Sequence, residues 1–359
     1  MKKILVMAST MLFGFMGANA AGTVAGTLVN NSATLSYTVG TVSQTAIVSN
    51  TDSFIVDNKI DLTVAHQDAT IVAVTPGATV QVLTFEVTNT GNKVQDFLLT
   101  QTLNDGNPYA GETDNFDATT VQVFVDVNGN GVYDTGTDTA TFIDELAPDA
   151  AVTVFIVSNI PTGQVNNDVS DHTLTAQVAV GGAAGQGAAI ATDDSANADT
   201  AMGEEIVFAD GDGAGATEGA NDGMHADHSA YKVVSAALAV VKSSCVLSDP
   251  VNAGTNPKRI PGAIIRYEIQ IANTGSAAAT VVSLADAIAT QYGTSAANLE
   301  VRTAACAGID GGTNACATKA GTVETNAGTG GAGTSNVTLD YATVAAGATE
   351  CGYIEVTIQ

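Results

Sequence analysis

Apolar and polar residues alternate with a period of two along almost the whole chain, and this limits what it can fold into. In one early run the apolar positions are Ala33, Leu35, Tyr37 and Val39, with Thr and Ser between them. Such alternation places every second side chain on one face of a sheet. Short runs of this kind, bounded by Gly, Asn and Asp, are typical of antiparallel sandwiches. We therefore predict an all-β fold.

Two later runs repeat the pattern. One has its apolar face at Val121, Val123, Val125 and Val127. The other predicts a buried face made of Ile265, Tyr267, Ile269 and Ile271, opposite Arg266, Glu268 and Gln270. Only Ala-rich stretches, such as residues 284–292, have the composition for a short helix.

An internal repeat predicts two domains of similar plan. Residues 75–91, TPGATVQVLTFEVTNTG, match residues 260–275, IPGAIIRYEIQIANTG. The Pro-to-Asn distance is one residue longer in the first copy, which a β-bulge would absorb. Asn-Thr-Gly is predicted to turn the chain because Asn and Gly tolerate positive φ. A related pair of segments follows at residues 146–157 and 344–356.

The repeat and the changes in composition predict the domain boundaries. We expect a signal peptide at 1–20, an N-terminal β segment at 21–58, a first sandwich at 59–182, an acidic Gly-rich linker or insertion at 183–230, and a second sandwich at 231–359. Between Thr192 and Ser229 lie ten acidic residues and no Lys or Arg. This region is either a flexible linker or a strand, EIVFA, followed by a second cation loop.

The first twenty residues predict export. Lys2 and Lys3 precede an apolar run, and Ala18-Asn19-Ala20 supplies the small-x-small pattern of signal cleavage. No later stretch approaches the length needed to span a bilayer. Removing the two lysines leaves 9 basic against 37 acidic residues, a net charge of 9 − 37 = −28. A chain this acidic repels nucleic-acid backbones and anionic lipid, and it favours divalent cations.

All four cysteines, Cys245, Cys306, Cys316 and Cys351, lie in the last third of the chain. With an export signal, an even count favours disulfides, and three connectivities are possible. The preferred pairing is Cys306–Cys316 with Cys245–Cys351, because the first pair brackets one Gly-rich loop. The second pair would join the start and end of one domain. The alternative is that one or both pairs are reduced. No CxxC zinc pattern is present.

The loop FVDVNGNGVYDTGTD, residues 124–138, joins two predicted strands, VQVFVDV and TATFIDEL, and predicts a calcium site. Asp126, Asn128 and Asn130 supply oxygens at positions 1, 3 and 5 of a calcium loop, and a glycine follows at position 6. The remaining predicted ligands are the Val132 carbonyl, Asp134 and, one residue later than the usual bidentate Glu, Asp138. The alternative is a type I′-like Asn-Gly hairpin with solvated carboxylates.

Two other groups of side chains are weaker candidates for metal binding. The carboxylates Asp210, Asp212, Glu218 and Asp222 match no regular calcium loop, and a solvated acidic linker is the alternative. His225 and His228 flank Asp227, but no third ligand is near in sequence, and His66 and His172 are remote. Exposed loop histidines are therefore the simpler interpretation.

Most of the chain resembles a group of exported bacterial surface proteins. The residues that carry the resemblance are NSATLSYTVG, PGATVQVLTFEVTNTG and the calcium-type loop with its following strands. The C-terminal frame, LAVVKSS followed by PGAIIRYEIQIANTGSAAATVVSLADAI, resembles the repeat catalogued as domain of unknown function eleven. The resemblance implies Ig-like β-sandwiches in cell-envelope or extracellular proteins that usually have no known enzymatic role.

The sequence carries no G-x-S-x-G, H-E-x-x-H or phosphate-loop motif, so we predict a protein that is not an enzyme. The predicted function is structural or adhesive, at the cell surface or outside the cell, with Ca²⁺ and disulfides giving rigidity. Partners would be other surface proteins or further copies, which pair through edge strands such as the N-terminal segment and YIEVTIQ. The alternative is a secreted module that binds a glycan or protein, although its loop aromatics Tyr109, Tyr133 and Tyr292 are isolated in sequence.

Overall fold

The computed structural model describes residues 22–103, 109–214, 219–289, 291–308, 315–323 and 336–359. The predicted signal peptide lies outside these residues. The described chain is built from β-strands and one short 3₁₀ turn at Tyr109–Gly111. No helix in this part of the chain is long and apolar enough to cross a membrane. The predicted all-β class of antiparallel sandwiches is confirmed.

Twenty-three strands follow in chain order. The N-terminal strands are β1 (Leu28–Asn31), β2 (Thr34–Leu35), β3 (Thr38–Val39), β4 (Val42–Ser43), β5 (Ile47–Val48) and β6 (Asp52–Ile55). The middle strands are β7 (Asn58–Ile60), β8 (Leu62–His66), β9 (Val72–Val74), β10 (Gln81–Asn89), β11 (Gln95–Leu103), β12 (Thr119–Val125), β13 (Phe142–Leu146), β14 (Ala151–Asn159), β15 (Val169–Val180), β16 (Ile206–Phe208) and β17 (Met224–Val233). The last are β18 (Leu238–Ser248), β19 (Ile264–Asn273), β20 (Ala279–Ala287), β21 (Tyr292–Arg302), β22 (Asn336–Val344) and β23 (Thr349–Ile358).

The chain divides into two compact units. Within the described residues, the first comprises 22–72, 78–161 and 169–231, and the second comprises 73–77, 162–168 and those from 232 to 359. Residues 183–230, predicted as a linker or insertion, contribute β16 and most of β17 to the first unit. β16 is the strand alternative of the sequence analysis, and it pairs in parallel with β7.

The first unit is a sandwich of a four-stranded sheet, in the order β12-β14-β10-β8, and a five-stranded sheet, in the order β13-β11-β15-β17-β9. Its core holds fully buried aromatic side chains from both sheets, among them Phe85, Phe97 and Phe155. Tyr231 on β17 also lies in this core, and its hydroxyl donates to the Gln81 carbonyl at 2.9 Å. β17 therefore ties one sheet to the other.

The second unit repeats the four-stranded sheet, in the order β18-β19-β23-β21. A two-stranded sheet, β20-β22, packs against it, and the shared core includes Ile269, Ile354, Leu339 and Tyr341. Six strands thus have counterparts in both units: β8 and β18, β10 and β19, β11 and β20, β12 and β21, β13 and β22, and β14 and β23. In the described part of the second unit, the other three strands of the five-stranded sheet, β15, β17 and β9, have no counterparts.

The Asn of each Asn-Thr-Gly motif makes the same contacts in its own unit. Asn89 is 1% exposed, and its amide donates to the Leu146 and Lys93 carbonyls, both at 2.9 Å. Asn273 is also 1% exposed, and its amide donates to the Val344 carbonyl at 3.0 Å and the Ala277 carbonyl at 2.8 Å. Leu146 and Val344 each end the strand that precedes the related pair of segments. The repeat seen in the sequence is therefore a repeated hydrogen-bonded corner.

The glycine of this motif is required by close approach of the backbone. A Cβ on Gly91 would lie 2.5 Å from the Lys59 carbonyl oxygen, and a Cβ on Gly275 would lie 2.1 Å from that of Ser235. Neither glycine has positive φ, so the sequence-based explanation, that the motif turns the chain through positive φ, is wrong. The extra residue of the first copy is absorbed at Val80, with φ 54°, before β10 begins and not inside its ladder.

The helix allowed at residues 284–292 does not form. Leu284 to Ala287 continue β20, which pairs antiparallel with β22. Pairing with β22 and partial burial of one face override the helical preference of the alanines.

The N-terminal segment is a long two-stranded hairpin. β1 pairs with β6, β2 with β5, and β3 with β4, all antiparallel. Most of its side chains are exposed, and the large apolar ones include Leu35, Tyr37, Val39, Val42 and Ile47. A two-stranded hairpin with an apolar face in water is marginal by itself.

Candidate functional site

The predicted calcium loop connects β12 to β13, and these strands belong to different sheets of the first unit. The two flanking strands predicted from the sequence are therefore confirmed. A tight hairpin is excluded, since β12 pairs with β14 and β13 pairs with β11. Gly129, Gly131 and Gly136 have positive φ, which lets the loop curl without the cost that a Cβ would add.

Asp126 and Asp138 close the two ends of this loop. Asp126 is 4% exposed, and its carboxylate accepts the Gly129 amide at 2.8 Å and the Gly131 amide at 2.7 Å. Asp138 is 1% exposed and accepts the amides of Val127 at 3.2 Å and Asp134 at 2.7 Å. Each carboxylate holds backbone N–H groups that would otherwise have no partner. Asp138 thus folds into the loop although it lies one residue late for the regular calcium pattern.

Asn128, Asn130 and Asp134 converge at the outer part of the loop. The two side-chain amides donate to the same Asp134 oxygen, at 2.9 Å and 2.7 Å. These hydrogen bonds hold the pKa of the Asp134 carboxyl below its ordinary value. The amide oxygens of Asn128 and Asn130 accept the backbone N–H groups of Asn130 and Val132, at 3.0 Å and 2.8 Å.

The sixth predicted ligand residue, Val132, has an exposed side chain. The next residue, Tyr133, fixes the loop on the sandwich by stacking on Phe124, with ring centroids 5.3 Å apart. The loop therefore brings five oxygen-bearing side chains into one short segment. A carbonyl or carboxylate oxygen can accept an N–H and still coordinate a hard cation through its second lone pair. The donor set is the type that Ca²⁺ prefers.

Two further acidic groups were missed by the sequence analysis. Asp57, Asp199 and Glu205 place one oxygen each within 4.8 Å of one another, and so do Asp96, Asp144 and Glu145. In each group one member, Asp57 or Asp96, is far in sequence from the other two, so no spacing pattern predicts the group. In the second group, buried Asp96 accepts the amides of Glu145 at 2.9 Å and Gly187 at 2.8 Å. This carboxylate holds a Gly-rich loop against the sheet.

The second predicted cation loop is held by backbone hydrogen bonds. Asp210 is 2% exposed and accepts the amides of Asp222 and Gly223, both at 3.1 Å. Burial raises the pKa of the Asp210 carboxyl. Asp212 is exposed, and Glu218 lies outside the described residues. The part of this loop that the structure describes is folded on the sheet and is not a free linker.

The structure brings together histidines that are remote in sequence. His66 on β8 places Nδ1 2.7 Å from the Asp227 carboxylate of β17, and its Nε2 lies 3.3 Å from the Tyr109 hydroxyl. The His228 ring contacts Tyr109 edge-on, with centroids 5.3 Å apart. His225 instead accepts the Val64 amide at 3.1 Å through Nδ1. The interpretation of these residues as exposed loop histidines is wrong, because β17 carries them to β8.

The disulfides of the second unit are Cys245–Cys316 and Cys306–Cys351, so the preferred pairing is wrong. Cys245 lies on β18 and Cys351 on β23, with β19 between these strands. Strands two apart in a sheet are separated by about 9–10 Å, and a disulfide needs Cα atoms within about 7 Å. The order of the strands therefore excludes the predicted bond between Cys245 and Cys351.

Both disulfides fasten the segment after β21 to the outer face of the four-stranded sheet. Arg266 donates to the Ala317 carbonyl at 3.0 Å, and Glu268 accepts the Gly308 amide at 2.7 Å. The predicted core face of β19 is confirmed, but Arg266 and Glu268 on the opposite face are buried too. Burial raises the pKa of the Glu268 carboxyl. The segment thus forms a third layer that the strand pattern did not reveal.

Comparison with known proteins gives little guidance. No family model matches the chain, and no curated protein matches it. Among solved structures, it matches one described as "Crystal Structure of Class 5 Fimbriae Chaperone CfaA" with 8% sequence identity and a TM-score of 0.23, over 80% of this chain and 83% of that chain. A TM-score this low carries no argument about function.

Proposed function

We propose that the chain is a non-enzymatic, exported structural or adhesive protein of the cell surface or extracellular space, stiffened by Ca²⁺ and disulfides. The all-β fold and the two disulfides are compatible with an exported protein. The observation that carries the proposal is that the same connection is reinforced in both units. In the first unit the reinforcement is a cluster of hydrogen-bonded carboxylates and amides between β12 and β13. In the second unit it is a disulfide-linked layer between β21 and β22.

Ca²⁺ would act by stabilising the folded first unit. The predicted ligands are the side chains of Asp126, Asn128, Asn130, Asp134 and Asp138, together with the Val132 carbonyl. Hydrogen bonds to the Asp126 and Asp138 carboxylates close the loop, and a bound ion would add its own stabilisation to these contacts. A cation that binds only the native state adds about 2.7 kcal/mol at a hundredfold excess over Kd.

Binding of a glycan or protein through loop aromatics receives no support from the packing. Tyr109 contacts the rings of His66 and His228. Tyr133 stacks on Phe124, and the Tyr292 hydroxyl lies 2.5 Å from that of Tyr267. Each of these aromatics is engaged within its own unit, so they do not form a common binding surface.

Cell fractionation of the native host tests the location. We expect the full-length chain to be processed near Ala20 and recovered from the cell surface or the medium, where added protease digests it on intact cells. Recovery of the unprocessed chain from the cytoplasm would contradict the proposal.

Calorimetric titration tests the cation. We expect Ca²⁺ to bind the mature protein and raise the melting temperature of the first unit, with the chelator EDTA reversing the shift. Asp134→Asn should weaken binding at least tenfold, because it removes the charge on which both amides converge. Asp117→Asn, at an exposed carboxylate outside the loop, is the matched control. Equal Ca²⁺ affinity of the Asp134→Asn and Asp117→Asn variants would show that the ion binds outside this loop.

A further inference from the structure

Among its described residues, the second unit has an open slot where the first unit has β15 and β17, and we infer that the N-terminal hairpin of a second copy of the chain fills it. The inference deepens the proposed structural role and rests on it. In the first unit, β15 pairs with β11 along nine residues, from Gln95–Val180 to Leu103–His172, and β17 follows β15 in the sheet. Among the described residues, no strand pairs with β20 on the side opposite β22.

The missing strands leave core positions of β18 uncovered. In the first unit, Leu62 and Val64 of β8 pair with Asn89 and Val87 and are 0% and 3% exposed. Their counterparts in the second unit are Leu238 and Val240 of β18, which pair with Asn273 and Ile271. These two side chains are 44% and 55% exposed.

The slot lies between this end of β18 and the free edge of β20. Further along β18, Lys242 donates to the Asp286 carboxylate of β20 at 2.6 Å and closes the slot there. The β20 residues that face the core, including Val282 and Leu284, are only partly buried, whereas Phe97 on β11 is 1% exposed. An incoming strand could pair with the β20 edge and place apolar side chains over Leu238 and Val240.

The N-terminal hairpin has the pattern that this slot requires. Four inward residues of β15, His172, Leu174, Ala176 and Val178, are each at most 1% exposed. The first arm of the hairpin carries four alternating apolar residues over the same spacing, Ala33, Leu35, Tyr37 and Val39. Its second arm adds apolar partners to the same face, since Ile47 pairs with Leu35 and Val42 with Val39. The hairpin also supplies two strands, which would take the places that β15 and β17 have beside β11 in the first unit.

Charge favours a second copy as the occupant. The chain carries a net charge of −26, which makes most of its surfaces repel one another. Residues 28–51, nearly the whole hairpin, contain no charged residue. Along β20 the single charged side chain is Asp286, which Lys242 already neutralises. Hairpin and slot are therefore two uncharged apolar surfaces on one otherwise acidic chain. Because they are different surfaces, their contact is head-to-tail, and it builds a linear assembly when the rotation between copies does not close a ring.

Sedimentation velocity on the mature protein and three variants tests this inference. The donor variant is Val39→Glu/Ile47→Glu, and the acceptor variant is Val240→Glu. All three side chains are more than half exposed, so the changes should not disturb the fold of a single copy. Val251→Glu, at a 77% exposed residue between β18 and β19, is the control.

We expect the unmodified and control proteins to form linear oligomers as concentration rises, and each single-surface variant to stay monomeric. An equimolar mixture of donor and acceptor variants should give a one-to-one dimer and nothing larger, because only one intact hairpin and one intact slot remain.

The inference is overturned if the donor variant or the acceptor variant assembles as the unmodified protein does. It is also overturned if the equimolar mixture of these two variants stays monomeric. An unmodified protein that stays monomeric overturns it as well, and slow exchange of the β20 amides in that monomer would show that another segment occupies the slot. A surface location in the fractionation experiment would stand in all these cases, so failure of the inference is distinct from failure of the proposed function.

Discussion

The two units share six strands and one hydrogen-bonded corner, yet each reinforces the connection between its sheets by different chemistry. In the first unit the link from β12 to β13 is a loop tied by Asp126 and Asp138. In the second unit the link from β21 to β22 carries Cys306 and Cys316, whose disulfides anchor it to the four-stranded sheet. In both units, therefore, this connection is held by contacts from outside the strand pairing.

The units also differ in completeness. β15 and β17 cover the core of the first unit, and Tyr231 on β17 bonds across to the opposite sheet. The second unit has the same corner but not these strands within its described residues, and its β18 has exposed core positions. In the described part of the second unit, two disulfides and a buried polar layer accompany an apolar core beside which Leu238 and Val240 stay exposed.

Loss of the disulfides should have the largest effect and should be confined to the second unit. The two bonds close chain loops of 71 and 45 residues. In the chain-entropy model each contributes about 4 kcal/mol, and less than the sum is expected because the loops overlap. We expect reduction to lower the free energy of unfolding of the second unit by at least one such contribution. Hydrogen exchange in urea, followed on peptides from each unit, measures this separately.

The first unit serves as the internal control, because all four cysteines lie in the second. Its exchange should be the same with and without reductant. Equal destabilisation of both units would show that the disulfides do not act locally.

Because both units share the hydrogen-bonded corner, we expect equivalent substitutions in it to destabilise the two units by similar amounts. Asn89→Ala and Asn273→Ala each remove two amide donors to buried carbonyls and one acceptor for the glycine two residues on. Leaving buried backbone groups unpaired costs about 1–3 kcal/mol each, so we expect about 2–4 kcal/mol from each substitution. The loss should appear in the unit that carries the change. Asn50→Ala, at an exposed hairpin residue, is the control, and a loss below about 1 kcal/mol for either corner would contradict the equivalence.

Acid should separate the units by a graded effect, which is smaller for each pH unit than either of these losses. Burial lowers the pKa of His172 from 6.5 to about 3, and all four histidines belong to the first unit. Below pH 6.5 the unfolded chain binds a proton on the His172 ring, whereas the folded chain does not. The free energy of unfolding therefore falls as the pH drops from about 6.5 towards 3. The expected slope from this residue is about 1.4 kcal/mol per pH unit.

His172→Gln should flatten this dependence for the first unit, since glutamine keeps a polar side chain beside Ser170 and Gln101 without a titrating ring. Urea unfolding across this pH range measures the slope. An unchanged slope in the variant would assign the acid sensitivity to other groups.

Much of the fold could be predicted from local pattern. Alternation predicted the strands on both sides of the Asp126 loop and the core face of β19, because period two is a direct consequence of pleating. The repeat of residues 75–91 at 260–275 predicted two sandwiches, since the corner needs the same Asn and Gly wherever it occurs. The calcium ligands stay a prediction, although the loop brings Asn128, Asn130 and Asp134 together as their spacing implies.

What could not be predicted depends on which strands become neighbours. The cysteine pairing was wrong because the order β18-β19-β23 is not a property of any local segment. The contact of His66 with Asp227 joins residues 161 positions apart, and the acidic group around Asp96 is likewise assembled by the sheet. Burial of Arg266 and Glu268 depends on a covering segment whose sequence has no strand pattern.

Hydrogen exchange of β11 and β20 in dilute solution tests most directly whether the second unit is the first unit's sandwich with a slot left open. The account predicts that β11 amides exchange slowly at every concentration, because β13 and β15 pair with both of its edges. Amides on the free edge of β20 should exchange quickly in the monomer and slow down as the protein assembles. Equally slow exchange of both strands in the dilute monomer would contradict it.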